Sequence, residues 1–228
     1  MKLSIIIPVY NEEKTILKII DKVKKQKLKN IRKEIIIVDD FSTDGTRQIL
    51  KKIRYKNIKI LYHKKNIGKG AAIRTALKYA NGNIILIQDS DLEYNPAEYP
   101  KLIDPIINGN AKVVYGVRFT KQHKPRYKIY YLGNIILTLI TNLIYNSKIK
   151  DMETGYKVFR RGVIKNIKLR SKKFDFEPEI TAKILKKGYK IYEVPISYRS
   201  RSVKQGKKIG WKDGIKAFFY LIKYRFCN

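Results

Sequence analysis

The chain has 228 residues, 44% of them hydrophobic, which is enough for one sizeable core and too few for two large domains. Its 51 Lys+Arg against 19 Asp+Glu give a net charge of +32, so attraction to polyanions is expected: nucleic acid, acidic lipid headgroups or phosphorylated substrates. The one cysteine, Cys227, excludes an internal disulfide, and two histidines without ligand-like spacing, His63 and His123, exclude a zinc site.

Short β-branched runs at residues 3–9, 34–38, 58–62, 83–88 and 112–115 alternate with amphipathic stretches at 12–25, 44–53, 69–80 and 97–108. That rhythm predicts an α/β fold with a mostly parallel sheet and helices on both faces. Asp44-Gly45-Thr46 and Asn95-Pro96 supply helix starts. After residue 117 the rhythm breaks into a basic segment ending at Lys128, followed by a long apolar helix through Tyr145. A helix at 179–187, a strand at 190–198, a basic loop at 199–208 and an aromatic, amphipathic terminal helix from about Trp211 complete the chain. The first apolar run is too short for a signal peptide's hydrophobic region, and the later ones fall short of the roughly 20 residues that cross a bilayer. A cytoplasmic protein that touches a membrane without spanning it is expected.

The densest chemical signal is Ile84-Ile85-Leu86-Ile87-Gln88-Asp89-Ser90-Asp91-Leu92-Glu93, a buried strand running into three alternating acids. Extended backbone would point Asp89, Asp91 and Glu93 the same way, where three like charges call for a cation. Hard carboxylate oxygens at the carboxyl edge of an α/β sheet suit Mg²⁺ or Mn²⁺, which keep company with substrate phosphates. Pro8-Val9-Tyr10-Asn11-Glu12 closes the first strand and Asp39-Asp40 the second, so their polar groups should face the same crevice, where carboxylates accept hydrogen bonds from a base or a ribose. Asn66-Ile67-Gly68-Lys69-Gly70 opens the third long helix; its glycines would let backbone approach a diphosphate, although the spacing matches neither the dinucleotide fingerprint nor the P-loop.

In this order, these motifs, with Gly116-Val117-Arg118 and Asp151-Met152-Glu153-Thr154-Gly155-Tyr156-Lys157, resemble the inverting family 2 glycosyltransferases of the GT-A fold, and among them the polyprenyl-phosphate enzymes typified by dolichol-phosphate mannose synthase. The resemblance covers nearly the whole chain. It implies a single domain, with residues 1–117 as the nucleotide-sugar half, 118–210 as the acceptor half and 211–228 as a candidate membrane-interfacial helix. It implies nucleoside contacts from Pro8, Tyr10, Glu12, Asp39 and Asp40, diphosphate contact from Lys69, and metal binding by Asp89, Asp91 and residue 93. Glu93 stands where the mannose synthases commonly have Gln. Asp89, Asp91, Arg118 and Glu177 are the expected catalytic residues. Arg118, Arg126, Arg199 and Arg201 are the expected acceptor-phosphate ligands, guanidinium forks matching phosphate oxygens.

The expected reaction moves a hexose, mannose or glucose, from a nucleoside-diphosphate sugar to a polyprenyl phosphate, with inversion, at the cytoplasmic membrane face. The apolar run from Leu132 to Tyr145 and the aromatic terminus would meet the lipid, as a peripheral contact or with a membrane partner subunit. A hydroxyl acceptor in surface glycan synthesis is the alternative, and would need a base from Asp151, Glu153 or Glu177. A basic nucleic-acid-binding protein would account for the charge of +32 but not for acids at successive strand ends, so no specific nucleic acid is expected.

Overall fold

Strand β1 (Lys2–Val9) carries seven consecutive buried residues and lies inside the sheet, paired in parallel with β2 (Arg32–Asp39) on one side and β4 (Ile84–Ile87) on the other. The computed structural model describes residues 1–119, 128–173, 175–201 and 211–227, without the side chains of 211–213. Arg126, His123, Phe174, the Trp211 side chain and residues 202–208 of the basic loop lie outside the described residues. Among those described, β3 (Ile58–Tyr62), β5 (Val113–Val117), β6 (Lys157–Arg160) and β7 (Ile191–Pro195) complete a sheet of order β3-β2-β1-β4-β6-β5-β7. All neighbours are parallel except β6, which runs antiparallel between β4 and β5.

Alternation along β1 divides the core. Ile5, Ile7 and Val9 pack on one face with α1 (Ile16–Lys25) and α4 (Tyr99–Ile107), whereas Ile6 joins Ile36 and Val38 on the other face, under α3 (Lys69–Leu77) and α7 (Phe176–Lys186). Helix α1 buries Ile16, Ile19, Ile20 and Val23, the spacing of one helical face. Each such side chain taken wholly from water contributes about 1.5–3 kcal/mol. On the first face α2 (Thr46–Lys51) adds Leu50, and on the second the short α6 (Arg161–Lys165), after β6, adds Val163 and Ile164. A third cluster unites α5 (Lys128–Tyr145), α7 and α8 (Trp211–Phe226), through Leu137, Tyr145, Ala182, Ala217, Leu221 and Tyr224.

Three expectations are corrected. β6 was not predicted, because Lys-Val-Phe-Arg is short and begins on a lysine; Lys157 is nevertheless 1% exposed. Helix α7 begins at Phe176 rather than Glu179, taking Glu177 into its first turn. The acidic segment after β4 is not extended: the strand stops at Ile87, residues 90–93 turn, and Leu92 takes φ 63°. A left-handed leucine is uncommon backbone and marks local strain. Asn11 (φ 51°) and Phe41 (φ 63°) make similar turns just beyond β1 and β2, so the chain reverses at three neighbouring strand ends.

Candidate active site

A cleft of about 1270 Å³ opens across these strand ends. Pro8, Tyr10, Glu12, Asp40, Lys69, Asp89, Asp91, Glu93, Arg118, Glu177 and Arg201 all line it, although they come from elements spread over nearly the whole chain. Asp39 and Arg199 do not line it. Asp39 is fully buried, accepting from Arg47 Nε (2.7 Å) and the Ser42 backbone N–H (3.2 Å), so it braces the turn after β2. Arg199 is exposed.

Asp40 faces the cleft from an internal network. It accepts from the backbone N–H groups of Ile67 (3.0 Å) and Gly68 (2.7 Å), and lies 2.7 Å from His63 Nδ1, whose Nε2 is 2.9 Å from Thr75 Oγ1. The carboxylate thereby fixes the loop that opens α3. Gly68 is required there: its φ is +110° and a Cβ would lie 2.4 Å from the Lys172 carbonyl oxygen. Gly155 has a steric role, since a Cβ would fall 2.2 Å from Asp89 Oδ2 and 2.9 Å from the Tyr94 ring.

The acids at residues 89–93 meet basic side chains from distant segments. Lys69 Nζ lies 2.9 Å from Asp89 Oδ1 and 2.8 Å from Glu177 Oε1. Burial alone would lower the Lys69 pKa, but the charges of Asp89 and Glu177 outweigh it and raise it well above the ordinary value. Arg201 spans Glu12 Oε1 (3.0 Å) and Asp91 Oδ2 (3.0 Å). Glu93 accepts from the Arg201 backbone N–H (2.7 Å) and from Tyr198 Oη (2.6 Å). It therefore anchors the segment carrying Arg201.

The metal reading of Asp89, Asp91 and Glu93 is modified by this geometry: among the described residues no three metal-ligating side chains are gathered on one point. The donor set still fits a hard divalent cation. Burial and the charges of Asp89 and Glu93 push the Asp91 carboxyl up to about 7, a measure of how much positive charge the position calls for. Arg201 supplies positive charge at Asp91, as Lys69 does at Asp89.

On the opposite wall Arg118 makes a bidentate pair with Asp151, Nε to Oδ2 at 2.8 Å and Nη2 to Oδ1 at 2.7 Å. Asn134 Nδ2 donates to the same carboxylate at 3.1 Å. Burial pushes Glu153 up to about 7, with the charge of Glu177 adding to it, and lowers the buried Lys157 to about 8. Asn134, Lys157 and Tyr198 had not been singled out from the sequence as site residues. Asn134 alone offers a usable signal, an amide on the inward face of a largely apolar helix.

Beyond Arg118 the cleft changes character, and Ile129, Leu132, Ile136 and Ile140 of α5 face Ile215, Phe218 and Phe219 of α8. On α5 the exposed Ile129, Leu132, Ile136, Leu139 and Leu143 recur every three or four residues, forming one apolar stripe. Among the described residues, no helix is long and apolar enough to cross a membrane.

A sheet of this topology, with an acidic cleft at its carboxyl edge, has the GT-A fold. The chain belongs to glycosyl transferase family 2, whose model matches residues 4–168. It is 31% identical to a UDP-N-acetylglucosamine–dolichyl-phosphate N-acetylglucosaminyltransferase of Methanococcus voltae, over 96% of this chain and 94% of that one. It is also 31% identical to a dolichol-phosphate mannosyltransferase of Pyrococcus furiosus, over 92% of this chain but 60% of that protein. In fold it resembles the glucosyl-3-phosphoglycerate synthase of Mycobacterium tuberculosis, crystallised with Mn²⁺, UDP and phosphoglyceric acid, at a TM-score of 0.76 and 18% identity over 100% of this chain and 79% of that one.

Proposed function

We propose that this glycosyltransferase moves a hexose from a nucleoside-diphosphate sugar to a polyprenyl phosphate, with inversion at the anomeric carbon. The observation that carries the reading is the continuity of one cleft from the strand-end acids to the apolar trough between α5 and α8. A charged donor and a greasy acceptor tail fit its two ends, and the relatives named for dolichyl-phosphate acceptors support the same reading.

Residues 1–117 hold the donor. Tyr10 and Glu12 stand at the nucleoside end, and Lys69, held protonated, faces the diphosphate. Asp89 and Asp91, with Glu93 beside them, would hold Mg²⁺ or Mn²⁺, which neutralises charge on the departing nucleoside diphosphate. The acceptor oxygen attacks from the face opposite the leaving group. A phosphate monoester, with a second pKa of about 6, is already largely ionised at neutral pH and needs little help from a base. Positioning and charge neutralisation then carry the rate. Arg118 and Arg201 flank the path between the donor end and the trough, and are assigned to the acceptor phosphate. The α5 stripe and the exposed Phe219 and Phe226 rest on a membrane surface, as a peripheral contact on the cytoplasmic side.

The test is incubation of the protein and Mn²⁺ with UDP- and GDP-sugars, with and without a short-chain polyprenyl phosphate. Lipid-linked sugar that requires both metal and lipid phosphate is the expected product. Donor hydrolysis without transfer to lipid would move the acceptor to a hydroxyl, and indifference to every nucleotide sugar would remove the reaction.

A further inference from the structure

Glu93 accepts three hydrogen bonds from one short segment more than 100 positions later in the chain. Its carbonyl oxygen accepts from the Arg199 backbone N–H (3.0 Å), its Oε1 from the Arg201 backbone N–H (2.7 Å) and its Oε2 from Tyr198 Oη (2.6 Å). Tyr94 and Tyr198 form an isolated antiparallel bridge beside these bonds, with their rings 5.2 Å apart. Both carboxylate oxygens of Glu93 are thus engaged by residues 198–201, and among the described residues no third metal-ligating side chain converges with Asp89 and Asp91.

Tyr198 carries the connection to the other wall of the cleft. The Arg118 guanidinium lies over its ring, 5.3 Å from the centroid, within the range of a cation–π contact. Arg118 is held in turn by its bidentate pair with Asp151. One tyrosine therefore meets Arg118 with its face and Glu93 with its hydroxyl, while Glu93 fixes the backbone of Arg201. These contacts join the two arginines that flank the path from the donor end to the apolar trough.

We infer that Glu93 is a positioning residue of the acceptor step, acting with Tyr198 to hold Arg118 and Arg201 at a fixed spacing, and that it stands outside the metal's ligand set. Asp89 and Asp91 remain to hold the ion. A carboxylate suits the role because its two oxygens accept from an N–H and an O–H at once, whereas an amide would turn its NH₂ toward one of those donors. Arginines ordered in advance meet an incoming phosphate without first losing side-chain freedom. The inference rests on the glycosyltransferase reading above and deepens it.

The test compares the full chain with Glu93→Ala, Tyr198→Phe and the double variant. Tyr198→Phe keeps a ring against Arg118 and alters no charge, so it decides alone if Glu93→Ala does not fold. Three quantities are read: amide hydrogen exchange at residues 198–201, kcat and KM for a short-chain polyprenyl phosphate, and Mn²⁺ affinity in the presence of UDP or GDP. Each single variant should speed exchange at the Arg199 and Arg201 amides and raise the acceptor KM about tenfold, the worth of one charge-assisted hydrogen bond, with kcat at saturating acceptor near wild type. The double variant should be no worse than Glu93→Ala, because the hydroxyl acts through the carboxylate. Mn²⁺ should bind Tyr198→Phe at least as tightly as wild type. A large loss of Mn²⁺ affinity in Glu93→Ala with exchange unchanged would overturn the inference, since that marks a metal ligand. So would a wild-type acceptor KM in Tyr198→Phe, or fully additive effects in the double variant. Sugar transfer by the wild type to a hydroxyl but not to polyprenyl phosphate would instead remove the acceptor reading, and this role with it.

Discussion

Arg201 lies 3.0 Å from Asp91, a residue 110 positions earlier in the chain, and the same guanidinium reaches Glu12 at 3.0 Å. The cleft thus holds an internal cation beside the carboxylates assigned to the metal. A divalent ion bound as proposed would compete with Arg201 for Asp91, and would release the guanidinium toward an incoming phosphate.

Arg201→Ala should therefore bind Mn²⁺ more tightly than the wild type in the absence of nucleotide, by about tenfold if a partly buried ion pair of about 1.4 kcal/mol is removed. Transfer to lipid phosphate should fall in the same variant. Mn²⁺ titration followed by electron paramagnetic resonance reads the first effect, and equal or weaker affinity in the variant would show that Arg201 does not compete.

Glu153 makes stability depend on pH. Its carboxyl is raised from 4.5 to about 7 by burial and by Glu177 and Asp151, against the opposing charges of Lys157 and Arg118. Between those values the folded state holds a proton that the unfolded state has lost, so stability falls as pH rises from about 4.5 to 7. Glu153→Gln should remove that slope and melt higher than the wild type above pH 7, while matching it near pH 4.5. Thermal unfolding across that range is the measurement, and parallel curves would refute the assignment.

Gly155→Ala places a methyl against Asp89 Oδ2 and the Tyr94 ring. Overpacking of this kind costs about 1–3 kcal/mol. Because the displaced atom belongs to Asp89, donor affinity in the presence of Mn²⁺ should drop at least as far as stability does. A variant with lower melting temperature but wild-type donor affinity would uncouple the two.

Leu139→Glu with Leu143→Glu breaks the exposed stripe of α5 at two positions that make no contribution to the buried core. Each apolar side chain inserted into lipid is worth about 1.5–3 kcal/mol, so binding to anionic vesicles should weaken about a hundredfold or more. Transfer to a short, water-soluble acceptor should persist. Vesicle co-sedimentation at two salt concentrations checks this, and undiminished binding would place the membrane contact elsewhere.

Much of the donor half was legible because local pattern suffices there. Continuous Ile and Val in β1, β2 and β4 mark strands buried on both faces, and acids just past each strand must emerge at the carboxyl edge. The roles of individual acids were harder to read. Asp39 and Asp40 are adjacent in sequence, yet one turns inward to Arg47 and the other toward the cleft. Strand β6 escaped notice because its first residue is a lysine, and burial of that lysine depends on carbonyl oxygens that only the folded loop presents.

By itself the sequence determined the family, the α/β architecture and the carboxylates of the cleft, because these follow from hydrophobic period and the order of short motifs. Tertiary structure alone decided that Arg201 faces Asp91, that Glu93 anchors the Arg201 segment, and that Lys69 joins Asp89 to Glu177. Pairing of side chains a hundred or more residues apart, and desolvation of one oxygen but not its neighbour, depend on distances that no local pattern encodes.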